Sequence, residues 1–170
     1  MESTRLIRAA GRPAANVAFE QAVVDFFVES AGLLGVPKSV AAIYGLCFAS
    51  PAPLSFSEVR ERLNISAGSI SQGLRVLREM GALTLVESGL DRREFFQPDL
   101  KLRKLAARWI EQRLQKQLDS GRTRLQGIAK SIPGEDGSSG KVLRDRLKTL
   151  QAWHDQTRAL LPLMKTFLKI

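Results

Sequence analysis

A mainly α-helical fold is expected, with a lobe of three helices and a β-hairpin flanked by further helices at both ends. Three observations carry this expectation. Apolar residues recur at three- and four-residue spacing through six separate stretches, the period shortens to that of strands only between Ala82 and Pro98, and breaks rich in proline or glycine separate the stretches. The 170 residues are 44% hydrophobic and 25% charged, globular proportions that suit one domain with extensions and exclude wholesale disorder.

After a polar start containing Gly11 and Pro13, Phe19, Val23, Phe26 and Leu33, with Phe27 beside them, predict an amphipathic helix over about 15–34 that Gly32 and Gly35 loosen and end. Pro37 suits the first turn of a second helix, in which Val40, Ile43, Tyr44 and Cys47 share a face before Pro51 and Pro53 forbid continuation. Ser55 and Glu58 have capping-box spacing, so a short helix is expected over about 56–63. Asn64 and Ile65 form a tight turn, Ser66 caps the next helix, and Gly81 stops it as a left-handed C-cap.

From Ala82, ALTLVES and REFFQPD around GLDR read as a hairpin with Leu83, Leu85, Phe95 and Phe96 as its apolar members. A long helix follows over about 100–131 with a seam of Ala107, Ile110, Leu114, Leu118, Leu125 and Ile128. The run PGEDGSSG, 133–140, is a linker. A last helix over about 141–169 repeats the stripe through Leu143, Leu147, Leu150, Leu161, Met164 and Leu168, with Pro162 expected to bend it.

Catalysis has little to stand on, and no catalytic residue and no cofactor is assigned. One cysteine, Cys47, and one histidine, His154, leave no metal site of ordinary ligand count and no internal disulfide. Cys47 is expected to be a packed thiol, and His154 to lie at a surface or interface. GEDGSSGKV, 134–142, has its glycines one residue too far apart for a phosphate-binding loop, carries Val142 where a hydroxyl is needed, and follows no strand. Ser138 and Lys141 have S-x-x-K spacing without the companion motifs of acyl-transfer enzymes. No apolar run approaches the roughly 20 residues of a membrane span, and no secretory signal opens the chain, so a soluble, cytoplasmic protein is expected.

The net charge is +9, an excess that implies a polyanionic partner. All of it lies at the C-terminal end, where residues 100–170 hold sixteen basic and six acidic groups. Residues 36–99 hold seven of each, so DNA binding there requires locally placed arginines, with the basic helices adding a diffuse field.

Residues 39–99 then read as a winged helix-turn-helix. In its third helix Ile70, Leu74 and Leu77 form a face to bury, while Ser69, Ser71, Gln72 and Arg75 point the other way, toward a major groove. Ala67, Gly68 and Ser69, small residues at the helix start, let the backbone approach DNA closely and its amides meet a phosphate, and the cap Ser66 joins Gly68 and Ser69 among the DNA-binding candidates. Gln72 has the chemistry to read adenine and Arg75 guanine. The hairpin tip presents Arg92 and Arg93 to the minor groove or its phosphates. Phe26, Tyr44 and Trp153 are the candidate lining of an aromatic effector pocket, against which stands ordinary core packing.

LSFSEVRERLNISAGSISQGLRVLREMGAL together with Asp91, Arg92 and Arg93 resembles winged-helix regulators of the MarR type. VPKSVAAIYGLCFASPAPLS, 36–55, is similar to the GbsR branch, named for repression of glycine betaine synthesis. The resemblance implies a homodimer whose N- and C-terminal helices form the body, two lobes that grip adjacent half-sites, and an effector pocket between body and lobe, which takes choline in the best-known branch members. The Asp-Pro run usual before a MarR wing tip is replaced here by Ser88, Gly89 and Leu90, which shortens the wing. No ligand motif of the branch matches residue by residue.

The resulting expectation is a homodimeric, sequence-specific regulator of transcription that binds a near-palindromic double-stranded operator. Repression is preferred because occupancy alone blocks a promoter, and a small-molecule effector is a further possibility. Its divisions are an N-terminal extension and dimerisation helix, 1–35, the DNA-binding domain, 36–99, and a dimerisation region, 100–170. It would associate with the nucleoid when bound to DNA. The rival readings are an architectural, non-specific nucleic-acid binder that uses the basic helices, and a membrane-surface or protein-docking module.

Overall fold

The computed structural model describes residues 6–9, 11–88, 91–132 and 138–169. The chain forms two compact units, Met1–Leu105 and Ala106–Ile170. The first holds helices α1 (Ala14–Leu33), α2 (Lys38–Ala49), α3 (Phe56–Arg62) and α4 (Ala67–Glu79), with strands β1 (Leu54–Ser55), β2 (Leu83–Ser88) and β3 (Asp91–Pro98). Helix α5 (Leu102–Ser131) begins in the first unit, and α6 (Ser138–Lys169) belongs to the second.

Helix α2 is the centre of the first unit. Every residue from Val40 to Cys47 is buried, so the single apolar face expected for it is in fact the whole circumference. Ala41, Ala42 and Gly45 make this possible, because small side chains on the second face let neighbours close in. A Cβ added at Gly45 would lie 3.1 Å from Val24 Cα on α1. On another side Ile43 meets Gly73 of α4. Val24, Ile43, Leu46, Leu54, Val59, Leu63 and Ile70 form the innermost layer.

Only part of the stripe expected to bury α1 does so: Val23 is half-buried and Phe27 packs against the core, while the rest faces outward. Phe19, Phe26 and Leu33 are 60, 63 and 90% exposed, whereas Val17, Glu20 and Val24 are buried. The helix has apolar residues on two faces, and α2 covers only one of them. Glu20 is tolerated inside because Arg12 Nη1 and Arg62 Nη1 pair with its two carboxylate oxygens, the latter at 3.2 Å.

The sheet has three strands in the order β1-β3-β2, all antiparallel neighbours. Leu54 pairs with Phe96 and Ser55 with Phe95, a two-residue strand too short to show any period. Adjacent residues of a strand face opposite sides, so Phe95 and Phe96 cannot both be core: Phe96 is buried and Phe95 half-buried. Leu83 is buried, but Leu85 is 39% exposed.

In the second unit Leu118, Leu125, Leu147 and His154 are buried. Ile128, Leu143 and Leu150, expected in the seams, are 49, 44 and 46% exposed. The side chains of Leu161, Met164 and Leu168 lie outside the described residues. Ser138, Ser139 and Gly140, expected in the linker, form the first turn of α6, where amides need no intrahelical partner; 133–137 lie outside the described residues. Pro162 sits inside the helix. His154 is not at a surface: it is 7% exposed and its Nε2 lies 2.9 Å from Leu118 O. Helices α5 and α6 meet closely there, since a Cβ on Gly121 would come within 2.8 Å of that nitrogen. Among the described residues no helix is long and apolar enough to cross a membrane.

Candidate nucleic-acid interface

Two capped helices joined by a short turn position the candidate site. Ser55 Oγ accepts from Glu58 N at 3.3 Å, and Glu58 Oε2 accepts from Ser55 N at 2.8 Å, the reciprocal capping box expected from the spacing. Partial burial pushes the Glu58 carboxyl up, but the hydrogen bonds from Ser55 and the charges of Arg62 and Arg93 outweigh it and hold the group below its ordinary 4.5. Helix α3 ends at Arg62 with Leu63 as its C-cap, and Ser66 caps α4, its Oγ accepting from Ser69 N at 3.2 Å. Gly81, at φ +66°, takes the left-handed position after α4.

Helix α4 divides as its pattern requires. Ile70, Leu74 and Leu77 are at most 4% exposed, and Gly73, which the pattern does not single out, is buried beside them. Ser66, Gly68, Ser71, Gln72 and Arg75 are exposed, and Ser69 is half-buried with its hydroxyl accepting from Ser66 Oγ at 2.9 Å. Arg75 Nε lies 3.3 Å from Glu79 Oε1 one turn along, an exposed pair that leaves the guanidinium accessible. Nothing lies within 4 Å of a Cβ built on Gly68. The outer side of α4 is therefore a polar, sterically open surface that starts at a capped N-terminus.

The two arginines assigned to the wing tip are in a strand. β2 runs through Ser88 and β3 begins at Asp91, and the register moves from Glu87↔Glu94 to Ser88↔Asp91, leaving Arg92 and Arg93 as the extra residues of a bulge in β3. Bulges re-aim side chains near an edge, which GLDR read as a simple turn does not anticipate. Arg93 is exposed and acts on Glu58 of α3; the side chain of Arg92, with Gly89 and Leu90, lies outside the described residues. Arg78 Nη1 lies 3.9 Å from Glu94 Oε2, linking α4 to β3.

The three aromatic candidates differ in burial. Tyr44 is a core residue: its hydroxyl donates to Asp99 O at 2.6 Å and its ring meets Phe27 edge-on, with centroids 5.1 Å apart. Burial, then the charges of Asp99 and Cys47, push its pKa up to about 12. Phe26 is on the outer face of α1, and Trp153, 63% exposed, belongs to the second unit. A cleft of about 560 Å³ in the first unit is lined by residues including Arg12, Phe19, Glu20, Pro51, Glu58 and Arg62. Cys47 is the packed thiol expected, fully buried, with its pKa pushed to about 12 by that burial. Among the described residues no three His, Cys, Asp or Glu side chains converge as metal ligands.

The fold has a counterpart among solved structures. A crystal structure of a transcriptional regulator superposes with a TM-score of 0.62 at 17% sequence identity, the match covering 91% of this chain and 96% of that one. The chain shares that regulator's fold. No protein-family model matches the sequence, and no curated protein matches it significantly. Near-complete coverage of both chains means that the likeness takes in the helices flanking the lobe as well as the lobe itself.

Proposed function

We propose that this protein is a homodimeric regulator of transcription, a winged helix-turn-helix protein of the MarR type and GbsR-like branch, that binds double-stranded DNA sequence-specifically and represses by occupancy. The observation that carries this reading is the division of α4: Ser71, Gln72 and Arg75 are open to solvent while Ile70, Leu74 and Leu77 lock the opposite side into the core. A helix held in this way can lower its polar side into a major groove without exposing apolar surface. The shared fold of a solved transcriptional regulator supports the same conclusion.

Dimerisation is supported by apolar surface that a single chain leaves uncovered. Phe19, Phe26 and Leu33 on α1, and Leu150, Trp153 and Leu160 on α6, are all at least 46% exposed. Burying such faces between two copies is the usual way to remove them from water, and a two-fold dimer sets its two reading helices about one helical turn of DNA, or roughly 34 Å, apart. A small-molecule effector would act by preferring one spacing of the lobes.

One observation favours a second reading. The charge excess lies in residues 100–170, outside the α3–α4 region, as in a protein whose basic helices bind nucleic acid without reading it. Selection of bound fragments from genomic DNA, followed by titration of a selected and a random duplex at one salt concentration, separates the two. The regulator reading expects a ratio of affinities of about a thousand or more, and a ratio near one rejects it.

A further inference from the structure

The residues preceding α1 are tied to the turn between α3 and α4. Leu6 O accepts from Asn64 N at 2.8 Å, Arg8 N donates to Arg62 O at 2.8 Å, and Ile7 bridges Leu63 in antiparallel fashion. Ile7 is 2% exposed and its amide donates to Gln21 Oε1 at 2.9 Å, so the clip is anchored in the core. It places Arg8 at the surface beside the turn, where Arg8 Nη2 donates to Asn64 Oδ1 at 3.2 Å. Asn64 is two residues before Ser66, the cap of α4.

Arg60, exposed on α3, shares with Arg8 a surface hollow of about 320 Å³ that Phe56, Ser57 and Glu61 complete. Among the described residues neither arginine pairs with a carboxylate. Glu61 leaves the hollow with a net positive charge.

We propose that Arg8 and Arg60 grip the sugar-phosphate backbone of the duplex that α4 enters, which makes the N-terminal clip part of the DNA interface. The inference rests on the DNA-binding reading of α4. A major groove is about 12 Å wide and a helix with its side chains about 10–12 Å across, so a helix seated in the groove brings its flanks against the phosphate rows that form the walls. Among the described residues Arg8 and Arg60 are cations without acid partners, on the flank where α4 starts. The hydrogen bond to Asn64 holds the Arg8 fork in place beforehand, which lowers the entropy lost on binding. Phosphate contacts of this kind set register and affinity and carry no sequence information.

The test uses the full chain and a random-sequence duplex of about 30 base pairs, titrated over a series of salt concentrations, because phosphate contacts are read in the salt dependence. Arg8→Gln and Arg60→Gln are each expected to weaken binding and to flatten the slope of log K against log salt by about 0.9. Arg8→Lys, which keeps the charge but not the fork, is expected to retain the parental slope. Parental affinity and slope in both glutamine variants overturn the inference while leaving the regulator reading intact. An Arg8→Lys chain as impaired as Arg8→Gln also overturns it, because Arg8 then serves only to hold the turn. A parental chain that binds no duplex at all removes the functional reading, and this inference with it.

Discussion

Gly73 of α4 lies directly against the Cδ1 methyl of Ile43 on α2, with no space between them for a Cβ. Ile43 is fully buried, so its Cδ1 can make room only by turning among core neighbours and not into solvent. Gly68, five residues earlier on the same helix, faces open space. Alanine at the two sites therefore acts in opposite directions. At Gly73 overpacking costs about 1–3 kcal/mol against a helix-propensity gain of about 0.5–1, a net loss read as a lower denaturant midpoint. At Gly68 only the gain remains, and stability is expected to rise by about 0.5 kcal/mol while affinity for a duplex falls.

Arg75→Ala separates reading from gripping. The Arg75–Glu79 pair is exposed, so its loss is expected to change stability by less than about 0.5 kcal/mol. Discrimination at one base position of each half-site is expected to fall by about 1–3 kcal/mol, measured by competition with single-base variants of a selected operator. Arg93→Ala should instead weaken all duplexes alike. Unchanged affinity and specificity in both variants would show that α4 and β3 do not face DNA.

Glu58 predicts an acid-sensitive lobe. Its carboxyl is held below the ordinary 4.5 in the folded chain, so its ionised form stabilises the fold fully above that value. The contribution is lost as pH falls through the lowered folded value. Unfolding followed by circular dichroism from neutral to acid pH should show this loss in the parental chain and a shallower pH dependence in Glu58→Gln.

His154→Ala should loosen the second unit. It removes a buried ring and the contact between Nε2 and Leu118 O, with an expected destabilisation of about 2–4 kcal/mol. Amide exchange around Gly121 and Leu125 is the measurement, with faster exchange there than in α2 expected. Exchange at the parental rate would show that the contact contributes nothing.

Elements governed by neighbours in sequence were legible in advance. The Ser55–Glu58 box, the Ser66 cap, the left-handed Gly81 and the two-sided pattern of α4 all depend on groups within a few residues of one another, and each is found as expected. The exposed candidates on α4 follow from the same periodicity, because a helix with one clear apolar face has only one way to be buried.

Where the sequence left a choice, contacts from distant residues made it. Helix α1 has two apolar faces, and only the presence of α2 turns Val17 and Val24 inward and Phe19 and Phe26 out. The β1 strand exists because β3 lies beside it, and the Arg92–Arg93 bulge because the strands pair out of step. Likewise the placing of Arg8 beside Asn64, 56 residues away, depends on a bridge to Leu63 that no local pattern announces. Sequence alone determined the helices, their caps and the polar side of α4, since backbone dihedrals and caps answer to near neighbours. Tertiary structure decided which surfaces are shared and which charges stand together, because these follow from packing among segments that the chain brings together only when folded.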